Sequence, residues 1–188
     1  MLLQKKTAVV TGCNKGIGNK ILEVFSAHKA VIFACTRKID NEFESLINKL
    51  KKKYNNEIIP IQLDLNKEQQ IKEAANKILS SNISIDILIN NAAIIHTAIF
   101  QMTSVKTLKE IFETNFFSQT VFTQYILKSM IKEKKGSVIG ISSSSALDGN
   151  EGRSAYVASK AAMIAQAKVM SRELGVYNIR VNTIAPGL

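Results

Sequence analysis

The sequence predicts an α/β fold: a doubly wound parallel sheet with helices on both faces. Two observations predict it. Short apolar, β-branched runs alternate with segments of helical periodicity along the whole chain. The first of these runs ends in a glycine-punctuated turn that leads straight into a helical segment.

The elements follow in order. Thr7 to Thr11 is a short buried strand stopped by Gly12. Ile17 to Ala27 is a helix, with Ile17, Ile21, Leu22, Val24 and Phe25 forming a broad apolar face. Val31 to Cys35 is a second strand. Asn41 to Tyr54 places Phe43, Leu46, Ile47 and Leu50 at helical spacing. Ile58 to Leu63 is a third strand and Lys67 to Leu79 a third helix. Asp86 to Asn90 is a fourth strand. Thr103 to Glu133 reads as one long helix with Leu108, Phe112, Phe116, Val121, Phe122, Tyr125 and Ile126 turned inward. Ser137 to Ser142 is a fifth strand, Ala155 to Leu174 a helix, and Ile179 to Ile184 a sixth strand. Six strands so connected fill the doubly wound dinucleotide-binding, or Rossmann, arrangement. No low-complexity linker or internal repeat interrupts them, so residues 1–188 are expected to form a single domain.

Composition narrows the function classes. Of 188 residues, 46% are hydrophobic and 21% charged, which excludes a disordered or collagen-like chain. No apolar run approaches the ~20 residues of a membrane-spanning helix, and no signal-peptide layout opens the chain. A cytoplasmic protein without membrane association is expected. Cys13 and Cys35 read as small packed thiols in a reducing compartment, and no metal cluster is expected. The net charge of +10 raises the question of nucleic acid. Its lysines cluster at Lys49, Lys51, Lys52 and Lys53 and at Lys128, Lys132, Lys134 and Lys135, where two helices close. No aromatic residues interleave them as a stacking platform requires, so no nucleic-acid partner is expected.

Chemistry concentrates in two places. The first strand runs into Thr11-Gly12-Cys13-Asn14-Lys15-Gly16-Ile17-Gly18. Glycines let that backbone turn tightly and approach a ligand closely, and the following helix offers free N–H groups and a positive dipole to an anion such as a pyrophosphate. Tyr156 and Lys160 stand four apart in a helical pattern and so share one face. Free tyrosine titrates near pH ~10, and a neighbouring ammonium favours the phenolate.

These residues resemble the short-chain dehydrogenase/reductase family, and within it the 3-oxoacyl-(acyl-carrier-protein) reductase-like members. The glycine turn resembles the TGxxxGIG motif, and Asn90-Asn91-Ala92-Ala93 resembles NNAG. Asn115, Ser143, Tyr156 and Lys160 match the catalytic asparagine, serine, tyrosine and lysine, and Pro186-Gly187 matches the PG motif. Ser143 is chosen over Ser142, Ser144 and Ser145 because it lies thirteen residues before Tyr156, the family spacing. The resemblance implies hydride transfer between a nicotinamide and a carbonyl or secondary alcohol. Tyr156 would be general acid/base, with Lys160 lowering its pKa and holding the nicotinamide ribose. Ser143 would orient the carbonyl and Asn115 support a proton relay. It also implies cofactor contacts from Gly12, Asn14, Lys15, Gly16, Ile17, Gly18, Thr36, Arg37, Asp64, Leu65, Asn91, Ala92, Ala93, Tyr156, Lys160, Pro186 and Gly187.

The second strand argues for NADP(H) over NAD(H). It ends Cys35-Thr36-Arg37-Lys38, without the acid that would bind a ribose 2′-hydroxyl. A guanidinium at Arg37 suits a 2′-phosphate, and Lys15 is a second cation of the kind found in NADP-preferring relatives. The expected partner is a small carbonyl compound or an acyl-carrier-linked substrate. His96, Asp148 and Glu151 read as surface or loop residues outside the site.

Ala93 replaces the usual glycine of NNAG, and Lys29 and Ala30 stand where relatives often turn with glycine. Family members also continue past the PG motif into a substrate loop and a seventh strand. This sequence is therefore expected to be an incomplete version of a longer protein or a truncated product. A homo-oligomer is implied at full length. The alternative is a cofactor-binding protein without turnover, an inactive fragment included.

Overall fold

The computed structural model describes residues 1–187. Its six strands form one parallel sheet: β1 (Thr7–Thr11), β2 (Val31–Thr36), β3 (Ile58–Gln62), β4 (Ile87–Asn90), β5 (Gly136–Ile141) and β6 (Ile179–Ile184). Their order is β3-β2-β1-β4-β5-β6, so the direction of winding reverses between β1 and β4. Register runs in step across that switch, with Val9 facing Phe33 on one side and Leu88 on the other.

Alternation along the strands divides the core in two. Ala8, Val10 and Ile32 point to one face, where they meet Leu22 of α1 (Gly16–Ala27) and Phe43, Ile47 and Leu50 of α2 (Asn41–Tyr54). Val9, Phe33 and Leu88 point to the other. There they meet Ile71 and Ile78 of α3 (Glu68–Leu79) and Phe122, Ile126 and Met130 of α5 (Ser118–Glu133). Strands buried on both faces explain why their sequence is continuously apolar.

The local chemistry suits each helix. Asp40 caps α2 by accepting the Phe43 N–H at 3.0 Å, Glu42 and Glu44 sit in its first turn, and Lys51, Lys52 and Lys53 close its last. The second lysine group is mostly solvated around the end of α5. After α1 the chain turns through Lys29 at φ +66°, a left-handed conformation that glycine adopts more easily. The Lys29 ammonium donates to the carbonyls of Tyr54 and Asn55, which helps hold the turn without glycine.

The segment expected as one long helix is divided. A single 3₁₀ turn at Phe100–Met102 precedes α4 (Val105–Phe112), capped by Ser104. A π-helical segment, Glu113–Phe117, then leads into α5. The wider turn changes which residues face inward. Phe122 and Ile126 are fully buried as expected, but Leu108 and Val121 remain 39% and 36% exposed. Ile17 and Val24 of α1 are likewise exposed, because α1 buries a narrow strip centred on Leu22. The serine run after β5 also folds more than expected: Ser145–Asp148 forms a short helix, α6, before α7 (Ser154–Leu174).

Candidate active site

The site lies where the strands end at the winding reversal. Two constraints shape its glycine turn. Gly16 takes φ +56°, and a Cβ there would meet nothing within 4 Å, so the turn presents open backbone. Gly18 is the opposite case. A Cβ there would fall 2.2 Å from the Gly12 carbonyl oxygen and 2.5 Å from Asn91 Nδ2. Only glycine lets α1 sit this close to β1.

Thr11 ties the turn to the end of β4. Its hydroxyl accepts the N–H groups of Asn91 and Ala92, both at 3.0 Å. The Asn91 amide returns the link, donating to the Thr11 and Gly12 carbonyls at 2.9 Å. Ala93, in place of a glycine, lies in this turn without a positive φ.

On the other side of the switch, α7 carries Tyr156 and Lys160 one turn apart. Lys160 is 1% exposed. Its Nζ donates to the Ile141 carbonyl at 2.6 Å and lies 5.9 Å from the centroid of the Tyr156 ring. Burial lowers the Lys160 ammonium from its ordinary value to about 8. Ser142 braces the lysine backbone, its hydroxyl donating to the Lys160 carbonyl at 3.0 Å. Ser143 sits at the end of β5, with its hydroxyl 3.2 Å from that of Ser145.

Asn115 lies at the centre of the π-helical segment and is fully buried. Its amide donates to the Ile94 carbonyl and the Ser159 hydroxyl and accepts the Ile94 N–H. Gln119 donates to the Asn115 and Ala92 carbonyls at 3.0 and 2.7 Å.

A cleft of about 860 Å³ joins these parts. Of the residues expected at the site, Gly12, Asn14, Lys15, Gly16, Ile17, Arg37, Asp64, Leu65, Asn91, Ala92, Ala93, Ser143, Tyr156, Lys160, Pro186 and Gly187 line it. Three do not. Gly18 is packed behind the turn. Thr36 is buried, with its hydroxyl directed to the Lys38 carbonyl. Asn115 lies behind the wall formed by Ile94. His96, Asp148 and Glu151 are exposed and outside the lining. Cys13 and Cys35 are buried free thiols, and burial pushes both well above the ordinary thiol range.

Sequence reasoning missed Ile94, Asn150 and Arg153. Ile94 and Arg153 are brought in by a contact between two loops: the Ala98 N–H donates to the Gly152 carbonyl at 2.8 Å. No periodicity announces such a contact. The one available signal for Arg153 was its place one turn before Tyr156.

The residues present fit a pyridine dinucleotide. The open Gly16 backbone and the start of α1 suit a pyrophosphate. Arg37 and Asp64 line the half of the cleft over β2 and β3, while Ser143, Tyr156 and Lys160 line the half beyond β4. Among the described residues no group of three or more His, Cys, Asp or Glu could hold a metal ion. Nor is any helix among them long and apolar enough to cross a membrane.

Comparison with known proteins agrees with this geometry. The family model described as short chain dehydrogenase matches residues 6–188. A 3-oxoacyl-(acyl-carrier-protein) reductase of Chlamydia muridarum is 33% identical over 187 residues, covering 99% of this chain and 75% of its own length. The enzyme of the same name from Thermotoga maritima is 32% identical over 187 residues, covering 100% of this chain and 75% of its own length. An acetoacetyl-CoA reductase of an Acinetobacter species is 30% identical, covering 98% of this chain and 74% of its own length. Among solved structures, a protein assigned as an NAD(P)-dependent gluconate 5-dehydrogenase from Beutenbergia cavernae superposes with a TM-score of 0.91 at 25% identity. The match covers 98% of this chain and 73% of that one, which holds NADP at low occupancy.

Proposed function

The chain belongs to the short-chain dehydrogenase/reductase family and is an NAD(P)-dependent oxidoreductase, and from that premise we propose that it interconverts a carbonyl and a secondary alcohol with NADP(H). The observation that carries this reading is the buried Lys160 ammonium beside the Tyr156 ring at a cleft also lined by Ser143.

When bound, the nicotinamide supplies or takes the hydride. Tyr156 gives its phenolic proton to the carbonyl oxygen in reduction and takes it back in oxidation. Lys160 is protonated below about pH 8, and its charge favours the tyrosinate that remains. The Ile141 carbonyl holds that ammonium in place. Ser143 donates a hydrogen bond to the substrate oxygen and fixes its direction. Asn115 supports proton supply to Lys160 by fixing the Ile94 segment and the Ser159 hydroxyl beside it.

NADP(H) is the preferred cofactor in this reading. Support comes from Arg37 and Lys15 in the lining and from the absence of a carboxylate in Thr36-Arg37-Lys38. Residues 1–188 act as one nucleotide-binding domain, in keeping with the single sheet. The substrate is a small carbonyl compound or one carried on an acyl carrier, which the positive net charge suits. Self-association is proposed from exposed Phe117, Val121 and Val169, and a cytoplasmic setting from the two free cysteines.

The test is NADPH binding, followed by loss of nicotinamide absorbance with a carbonyl panel, for the wild type and Tyr156→Phe. Wild-type turnover should fall at least ~100-fold in the variant while NADPH binding is kept. Binding without turnover in the wild type would reject the enzymatic reading. NADPH and NADH are compared in the same assay, and Arg37→Gln should narrow the preference. A wild-type preference for NADH would overturn the cofactor assignment.

A further inference from the structure

We propose that Arg153 is a substrate-binding residue that selects an oxo acid carrying a free carboxylate. The proposal rests on the carbonyl-reduction reading above and narrows it to small anionic substrates. Its place in the cleft, its lack of a partner and the charge around it support it.

Arg153 is half-buried at the residue that precedes α7, three before Tyr156, and both residues line the same cleft. Among the described residues its guanidinium meets no hydrogen-bond acceptor and no carboxylate, although Asp148 and Glu151 are close in sequence. Only its backbone is engaged: the N–H donates to the Asn150 carbonyl at 3.2 Å, and the carbonyl accepts the Val157 N–H at 2.8 Å. Its nitrogens still reach water, so the guanidinium is free to exchange that water for an anionic group entering the cleft.

The surrounding charge has one sign. Asp64 is the only carboxylate in the lining among the described residues, and it lies in the far half of the cleft beyond β3. The near half holds Arg153 and Lys160 with neutral donors from Ser143, Ser144, Ser145 and Asn150. The helix adds to this. α7 is 21 residues long, has no acidic residue in its first turn and no side-chain cap, so its N-terminus supports a negative group.

Position separates this cation from the cofactor. Lys15 and Arg37 belong to the ends of β1 and β2, whereas Arg153 belongs to the loop that docks on Ala98 through Gly152. A planar guanidinium can hold a carboxylate with two parallel N–H donors. A carboxylate so held would leave the ketone of the same small molecule between Ser143 and Tyr156. Hydride and proton then add across that ketone while the carboxylate stays unchanged and ionised.

The test compares acetoacetate with its ethyl ester, which has the same ketone without the charge. Wild-type protein should favour the acid in kcat/KM. Arg153→Gln should lose about 10- to 100-fold on the acid and little on the ester, and Arg153→Lys should recover part of the loss. Calorimetric titration of acetoacetate into the NADP⁺-bound protein should give heat that Arg153→Gln abolishes. An equal loss on both substrates, or a wild-type preference for the ester, would overturn the proposal and leave carbonyl reduction standing. Acetoacetate binding that is unchanged in Arg153→Gln, or absent from wild type, would overturn it independently of turnover. Failure of NADPH to bind, or turnover of neither ketone nor any other carbonyl, counts instead against the oxidoreductase reading.

Discussion

The Asn115 side chain pairs with both backbone groups of Ile94, accepting its N–H at 2.8 Å and donating to its carbonyl at 2.9 Å. One buried amide thus replaces a strand partner for the segment that walls the cleft. Its third bond, to Ser159 at 3.1 Å, ties the same wall to the helix carrying Tyr156 and Lys160.

Asn115→Ala leaves the Ile94 N–H and carbonyl without these partners and empties the buried space the amide fills. It should cost roughly 2–3 kcal/mol of stability by denaturant titration. Exchange of the Ile94 amide hydrogen should accelerate ahead of the strand amides. Unchanged exchange at Ile94 would mean that the wall is held by other contacts.

Lys160 gives a pH signature whose sign follows from its lowered value. Between about pH 8 and the unfolded value near ~10.4, the unfolded chain binds more protons than the folded one. Stability from this group therefore rises with pH across that window, by about 3 kcal/mol in total. Lys160→Met should remove that rise in thermal or chemical melts at pH values spanning it, while abolishing turnover. A variant whose stability keeps the wild-type slope would show that Lys160 does not titrate there.

Asp86 acts in the opposite direction at acid pH. Burial pushes its carboxyl up, but the Thr7 N–H at 3.0 Å and the ammoniums of Lys6 and Lys135 outweigh that and hold it below its ordinary value. Its contribution is present above the unfolded carboxyl value and lost as pH falls through the lower, folded one. Asp86→Asn should destabilise by about 1–3 kcal/mol at neutral pH, with the gap to wild type closing in strong acid. A gap that stays constant with pH would point to packing instead of charge.

Gly18→Ala drives a methyl group against the Gly12 carbonyl oxygen and Cys13 Cα, both backbone atoms that cannot rotate away. A loss of roughly 1–3 kcal/mol or more is expected, with weaker NADPH binding in a fluorescence titration. Gly16→Ala has open space and only the cost of its left-handed backbone, so it should be the milder of the two in stability.

The inner strands were legible because they are buried on two faces and read as unbroken apolar runs, as in Thr7–Thr11 and Val31–Thr36, while the edge strand Ile179–Ile184 showed as an alternation of buried and exposed residues. The divided helix was not. Leu108 and Phe122 carry the same helical periodicity whether or not a π turn separates them. The departure is accompanied by side-chain bonds such as Thr114 to Asn66 and Ser118 to Glu113, which no periodicity encodes. At the site, the glycine turn and the Tyr156–Lys160 pair were visible as local spacings. Arg153 and Ile94 were not, because their positions depend on loops meeting across the cleft.

The π-helical segment has a further consequence for how the chain tolerates changes in length. Each residue of a helix advances it by about 100°. Deleting one residue within Glu113–Phe117 would restore an ordinary helix and turn the rest of the segment by that angle relative to α5. Asn115 would then face away from Ile94 or α5 would lose its seating on the sheet. Substitutions on the exposed side of α4 should be tolerated freely, whereas single-codon deletions in this stretch should be selected against as strongly as loss of the tyrosine.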